Sequence, residues 1–314
     1  MFGLTMRMMF ILGALFGILY LVIAIIGQGT VIFNLALTLV ILLIQYFISP
    51  YIVQWTMRVR YVSEDEEPEL HRIIEELAEK AGIPKPKVGI SDMPIANAFA
   101  FGRSVRDGRV AVTQELMDML DRDELKAVLG HEISHIRHRD MIITTLVSVI
   151  PMVLYNLAWL FMWGFGGDSE DRGSSVLIGL LFMVLYFISN LLVLAISRVR
   201  EYMADYGSVE LGNPPEKLAS ALYKLVYSSA RKSEKELATT ASVKAFFLND
   251  PNSAVDEIRD LAQLDMNKNF SIDRSELEFL KSARVKISLG EKIMELMATH
   301  PNMLKRIKKL SEYL

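Results

Sequence analysis

His131-Glu132-Ile133-Ser134-His135 sits inside an apolar, helix-forming run from Glu124 to Met141. On a helix, residues four apart share a face and are about 6 Å apart along the axis, so both imidazoles can reach one metal ion. Glu132, beside the first histidine, is placed to take a proton from a water at that metal, the arrangement used for metal-assisted peptide hydrolysis. The bland reading is an amphipathic helix that happens to carry two exposed histidines. Against it, the chain has five histidines and two of them frame a glutamate in the diagnostic order.

Working outward, Met141 to Trp163 carries no charged residue and none follows until Asp168. A run of that length suits a helix crossing the roughly 30 Å hydrocarbon core of a bilayer. No Gly or Pro separates His135 from Met141, so the histidine helix is expected to run straight into this span. After an acidic loop from Gly164 to Gly173, Val176 to Ile196 forms another span and returns the chain at Ser197-Arg198-Val199-Arg200-Glu201. A buried core pair is the alternative for this hairpin. Toward the N-terminus, Met8 to Ile26 and Val31 to Ile48 are two further apolar runs parted by Gly27-Gln28-Gly29-Thr30, which gives four spans in all. A cleaved signal peptide competes for the first run, although it is longer than a typical signal core.

Composition agrees: 52% of the 314 residues are hydrophobic and the net charge is -3, which favours neither nucleic acid nor a broadly basic membrane-surface protein. Cysteine is absent, excluding disulfides, thiol catalysis and thiolate metal sites, so any metal must use His and carboxylates. Arg7, Arg58, Arg60, Arg137, Arg139, Arg198 and Arg200 flank one side of the spans, whereas Arg172 is alone on the other. The soluble parts and both termini are therefore expected in the cytoplasm, with the protein multi-pass in the plasma membrane.

Between the hairpins, Ser63 to Pro68 opens a helix with Leu70, Ile73, Ile74 and Leu77 inward, closed by Gly82-Ile83-Pro84. Lys87 to Ser91, Asn97 to Gly102 and Arg109 to Thr113 read as strands of a small antiparallel sheet. Thr113 and Asp121 are candidate helix caps. After Glu201 the chain is polar and helical, with breaks at Asn213-Pro214-Pro215, Asp250-Pro251 and His300-Pro301. Four parts are expected: residues 1–55, 56–140, 141–197 and 198–314, alternately transmembrane hairpin and cytoplasmic catalytic part.

A catalytic zinc needs a third protein ligand and an open position. Glu201 is the candidate, because a hairpin of two spans brings its cytoplasmic ends together; a surface carboxylate paired with Arg198 or Arg200 is the competing reading. Asp205, one turn on, could accept the remaining N–H of a ligating histidine and fix its tautomer. His138 lies about 10.5 Å along the axis from His131, too far to share one ion with it, and reads instead as a partner of the membrane interface or of Asp140. His71, on a polar helix, reads as solvated.

His131-Glu132-x-x-His135 followed by Arg139-Asp140, together with Arg200-Glu201-Tyr202-x-Ala204-Asp205, resembles the HtpX branch of the M48 peptidases, related to the Ste24-type CAAX prenyl proteases. Asn97-Ala98-Phe99-Ala100 and Thr299-His300-Pro301 with Arg306-Ile307 are similar to further motifs of that family, and the four spans follow its order. His138 stands where the family commonly has asparagine. The resemblance implies a mainly α integral membrane protein with four transmembrane helices and a zincin-like cytoplasmic α+β catalytic domain. It implies a zinc endopeptidase that cleaves misfolded or damaged membrane proteins at the bilayer face, alongside other quality-control proteases. Zinc would be held by His131, His135 and Glu201, with Glu132 as general base and then acid. The strand bearing Asn97, Ala98, Phe99 and Ala100 would bind substrate backbone, and His300 and Arg306 would steady the oxyanion or the active-site wall. From its sequence alone, His300 reads equally as a helix-start residue beside Pro301. A membrane scaffold that keeps the metal site for structure is the reading from another class, and the intact Glu132 speaks against it.

Asp265 to Glu276 carries oxygen groups at Asp265, Asn267, Asn269, Asp273 and Glu276, the loop positions 1, 3, 5, 9 and 12 of an EF-hand. Position 6 is Phe270, where the turn needs positive φ; a bulky aromatic there is expected to weaken or abolish calcium binding. The segment reads either as a degenerate calcium loop or as a helix-capping turn.

Overall fold

A computed structural model describes Ala14, Ile18 and residues 30–164, 172–231, 261, 263–283 and 294–314. The chain divides into two compact units, one made of Ser49–Met141 with Arg200–Leu314, the other of Phe2–Ile48 with Ile142–Val199. In chain order the elements are α1 (Thr30–Thr56), β1 (Val59–Tyr61), α2 (Pro68–Ala81), β2 (Lys87–Ser91), β3 (Ala98–Phe101), β4 (Arg109–Thr113), α3 (Gln114–Met119), α4 (Arg122–Arg137), α5 (Asp140–Trp159), α6 (Arg172–Glu210), α7 (Pro215–Ala230), α8 (Arg274–Ser282) and α9 (Met303–Leu310).

The sheet corrects an expectation. Its order is β1-β2-β4-β3, with β1 antiparallel to β2, β2 parallel to β4 and β3 antiparallel to β4. It is mixed rather than antiparallel, because β4 inserts between β2 and β3 and the link from Asp92 to Asn97 carries the chain past that place. Pairing between non-consecutive strands leaves no local mark in the sequence. The short strand β1 escaped sequence reading for lack of length. Among the described residues, strand β3 has one neighbouring strand and stands at an end of the sheet.

Local chemistry fixes the helices that carry the site. Pro68 opens α2 at its first turn, and Gly82, at φ 67°, closes it while Ile83 N–H reaches back to the Ala78 carbonyl at 3.0 Å. The Thr113 hydroxyl accepts from Leu116 N–H at the start of α3. Asp121 and Glu124 form a reciprocal capping box on α4. Glu124 is itself buried, accepting from Ser220 Oγ at 2.6 Å and Lys224 Nζ at 2.7 Å, which ties the start of α4 to α7. One hydrophobic core joins Ile73 and Leu77 of α2, Val128, Leu129 and Ile133 of α4, Leu222 and Leu225 of α7 and Ile307 of α9. Burying such side chains is worth about 1.5–3 kcal/mol each.

Helix α4 does not continue into the apolar run. It ends at Arg137, capped by His138, and Arg139 turns the chain at φ 59° before α5 starts at Asp140. A left-handed residue other than glycine costs roughly 1–2 kcal/mol. The chain accepts this strain where Asp140 is redirected.

Among the described residues, Asp140–Trp163 and Gly173–Glu210 are the two helices long and apolar enough to cross a membrane. The other two expected spans are not found by that measure. Met8 to Ile26 lies outside the described residues apart from Ala14 and Ile18, and α1 runs on through Pro50 to Thr56 instead of stopping before the proline. Along α6, Leu177, Val184 and Phe187 are exposed.

Candidate metal centre

His131 is fully buried and His135 partly so, and their rings meet edge to face with centroids 4.7 Å apart. Their Nε2 atoms face each other at 3.0 Å. Glu201, on α6, brings Oε2 to 3.6 Å from His131 Nε2 and Oε1 to 3.6 Å from His135 Nε2. Glycines permit this approach of α4 to α6: a Cβ on Gly207 would lie 1.9 Å from Ser134 Oγ, and one on Gly130 would lie 2.8 Å from Ser208 Oγ.

The other ring nitrogens decide what the Nε2 atoms can do. His131 Nδ1 stands 2.9 Å from Asp205 Oδ1, and His135 Nδ1 stands 2.5 Å from Asp140 Oδ2. An ionised carboxylate can only accept, so the tautomer that suits these neighbours carries its proton on Nδ1 and presents a lone pair on Nε2. Two lone pairs and a carboxylate then converge on one point, an arrangement that repels itself unless a cation is present. One ligand atom from each of His131, His135 and Glu201 lies within 4.8 Å of the other two. Donors about 3.3 Å apart suit bonds of about 2.05 Å to a tetrahedral ion, so the group fits zinc with a fourth position open.

Behind the ligands is a buried charged wall. Arg306 is fully buried, its Nη1 3.1 Å from Glu201 Oε2, its Nη2 2.7 Å from Asp205 Oδ1 and its Nε 3.0 Å from Asp205 Oδ2. His300 Nδ1 lies 3.4 Å from Glu201 Oε2. Burial would raise the Glu201 carboxyl, but His300, Arg306 and His131 outweigh it and hold the group well below the usual carboxylate range. Glu201 is therefore not a surface carboxylate, and the partner of Arg200 is Asp140, with Arg200 Nη2 2.8 Å from Asp140 Oδ1.

Glu132 is buried next to this group, and burial pushes its carboxyl up to about 7; nearby Glu201 adds to the rise, while His131, the Ala100 amide and Arg306 pull it back. A carboxyl balanced near neutrality suits proton transfer in both directions. The Ala100 contact also places the sheet edge: Ala98, Phe99 and Ala100 lie on β3, and Asn97 precedes it, buried, its carbonyl accepting from Thr113 N–H at 2.9 Å. Burial pulls the His135 imidazole down to about 4, Glu201 opposing and Arg200 and Arg306 reinforcing the fall, so the ring is neutral and able to ligate.

Asp140 and Arg200 are the site residues that reading the helices missed. Both flank apolar runs, where an isolated charge is the signal available. Asp140 serves His135 rather than His138, whose Nδ1 lies 3.2 Å from Ser134 Oγ. His71 is half-buried, not solvated, with Nε2 3.0 Å from the Val62 carbonyl.

The segment from Asp265 to Glu276 is stapled by its own amides. Asp265 accepts from Asn269 and Phe270 N–H at 3.0 and 2.9 Å, Asn267 Nδ2 donates to Asp273 at 3.1 Å, and Ser271 N–H reaches Asn269 Oδ1 at 2.8 Å. Asp273 caps α8 in a capping box with Glu276, which also accepts from Met266 N–H at 2.8 Å. Phe270 does adopt the left-handed turn that its size was expected to resist, at φ 60°, with its ring half exposed and 5.0 Å from Tyr227. Among the described residues, the group of three His or carboxylate side chains close enough to hold a metal is His131, His135 and Glu201.

The sequence profile of peptidase family M48 matches residues 64–314. A Protease HtpX homolog of Methanothermobacter thermautotrophicus is 50% identical over 227 residues, which is 71% of this chain and 86% of that protein. A Protease HtpX homolog of Moorella thermoacetica is 40% identical over 256 residues, 78% of this chain and 85% of that one. Among solved structures, S. mikatae Ste24p aligns with a TM-score of 0.50 at 17% identity, covering 99% of this chain and 67% of that chain, a likeness of fold.

Proposed function

This chain belongs to peptidase family M48 and is a metallopeptidase, and from that premise we propose a zinc-dependent endopeptidase that cleaves misfolded or damaged membrane proteins at the cytoplasmic face of the plasma membrane. The observation that carries the zinc reading is the convergence of the His131 and His135 Nε2 atoms and the Glu201 carboxylate on one point. Zinc bound by His131, His135 and Glu201 supplies a Lewis acid that polarises a scissile carbonyl and lowers the pKa of water toward about 7.

The rest belongs to the chain's own groups. Glu132 takes the proton from the attacking water and returns it to the departing amine, and its near-neutral carboxyl serves both steps. Strand β3 is an end strand of the sheet among the described residues, and an extended peptide is proposed to add beside it as a further strand, recognised through main-chain groups that every sequence carries. Such recognition suits a protease that acts on unfolded chains of varied sequence. His300, beside Glu201 with both ring nitrogens lacking a hydrogen bond among the described residues, is the group proposed to donate to the oxyanion. Arg306 steadies the wall through Glu201 and Asp205.

Membrane placement rests on the two apolar helices and on the basic residues that flank them. The proposed topology adds an N-terminal hairpin, four spans in all, with both termini and the catalytic centre cytoplasmic. Tethering the site at the bilayer selects lipid-embedded substrates.

The test is Glu132→Gln in the detergent-solubilised full chain. Zinc content should stay near one per chain while cleavage of a denatured protein substrate falls by about 10²–10⁴-fold. Wild-type cleavage by that variant would overturn the assignment of Glu132.

A further inference from the structure

Each metal-facing histidine backs onto an aspartate, and each aspartate onto a buried arginine. His131 leads to Asp205 and Arg306; His135 leads to Asp140 and Arg200. We propose that Asp140 and Arg200 form a positioning pair that fixes the tautomer and ring orientation of His135, a second relay built like the one behind His131. The inference rests on the zinc reading of the site.

The geometry is specific. Asp140 uses one oxygen for His135 Nδ1 at 2.5 Å and the other for Arg200 Nη2 at 2.8 Å, and both side chains are nearly sealed from solvent at 7% and 5% exposure. On a continuous helix, residues five apart point about 140° away from each other, so Asp140 could not reach His135 from an unbroken α4. The left-handed turn at Arg139 is what brings the carboxylate back over the ring. Arg200 precedes the ligand Glu201 in the chain, so the pair also joins the backbone of one ligand to the ring of another. Arg200 Nη1 has no hydrogen-bond partner among the described residues, which leaves Asp140 as the carboxylate bonded to a buried guanidinium. Such a pair holds the Asp140 carboxyl in place with one oxygen aimed at His135 Nδ1, the orientation in which it accepts from that nitrogen.

Zinc affinity, measured by chelator competition, and the visible spectrum of the cobalt-loaded full chain separate this role from a merely structural one. Asp140→Asn should weaken zinc binding about 10- to 100-fold and shift the cobalt bands. Because that change strands Arg200, the double variant Asp140→Asn with Arg200→Gln is the decisive one. It should recover the thermal midpoint lost by the single variant and keep the weakened zinc affinity. Wild-type affinity and a wild-type cobalt spectrum in the double variant, or in Asp140→Asn alone, would overturn the pair's role. If the wild-type chain itself bound no zinc, the metal reading would fall instead, so the two failures are distinct.

Discussion

Arg306 meets Asp205 along a forked edge, Nε to Oδ2 at 3.0 Å and Nη2 to Oδ1 at 2.7 Å, with neither side chain open to solvent. Burial would lower the guanidinium's pKa, but Asp205 and Glu201 reverse that and raise it, so the arginine is a permanent cation holding two carboxylates ionised. Removing one member of such a buried group leaves an uncompensated charge, which typically costs about 3–5 kcal/mol. Arg306→Leu is expected to lose about that much stability in denaturant unfolding. Asp205→Leu with Arg306→Leu should regain a large part of it, because an apolar pair of similar volume can replace a buried ion pair. A loss below about 1 kcal/mol in the single variant would show that Arg306 is not the counter-charge described.

Gly207 sets how closely α6 approaches α4. Its added Cβ would stand 1.9 Å from Ser134 Oγ and 2.7 Å from Ser134 Cβ, so turning the hydroxyl away cannot relieve the clash and the helices must part. Gly207→Ala is expected to cost about 1–3 kcal/mol, the usual price of overpacking, and to weaken zinc binding by drawing Glu201 away from the histidines. Gly82→Ala is the control: nothing lies within 4 Å of its Cβ, and its cost is the left-handed backbone alone, about 1–2 kcal/mol with zinc affinity unchanged. Zinc titration of both variants checks the contrast, and equal affinities would exclude the glycine as the determinant of the spacing.

These residues also show what a sequence can and cannot disclose. That His131 and His135 face one point follows from a spacing of four on one helix, a local rule that tertiary contacts did not alter. Glu201 was reachable by one further step, since two adjacent apolar runs return the chain to its starting side. Asp140 was out of reach because it depends on a helix break at Arg139, and an arginine at φ 59° gives none of the warning that a glycine would. The parallel pairing of β2 with β4 was hidden for another reason: strands separated by β3 meet through a non-local connection, while turn signals speak only for neighbours. Phe270 reverses the case, a rule of sequence overridden where two amides bonded to Asp265 hold the turn.

That turn is also where calcium and capping make different predictions. Glu276 is buried and spends Oε1 on Met266 N–H and Oε2 on Asp273 N–H, while Asp273 caps α8 through the Glu276 amide at 2.9 Å. If these bonds are the segment's purpose, Asp273→Ala and Glu276→Ala each remove part of a capping box and should cost about 0.5–2 kcal/mol. That cost should be the same with millimolar calcium as with a chelator that spares zinc. A calcium site would behave otherwise: the wild-type chain would be stabilised in proportion to the logarithm of calcium above its dissociation constant, and Glu276→Ala would abolish the gain. Thermal unfolding of the three proteins across a calcium series distinguishes the two. The expected outcome is parallel, calcium-independent midpoints, since each carboxylate in the segment already accepts hydrogen bonds from the chain itself.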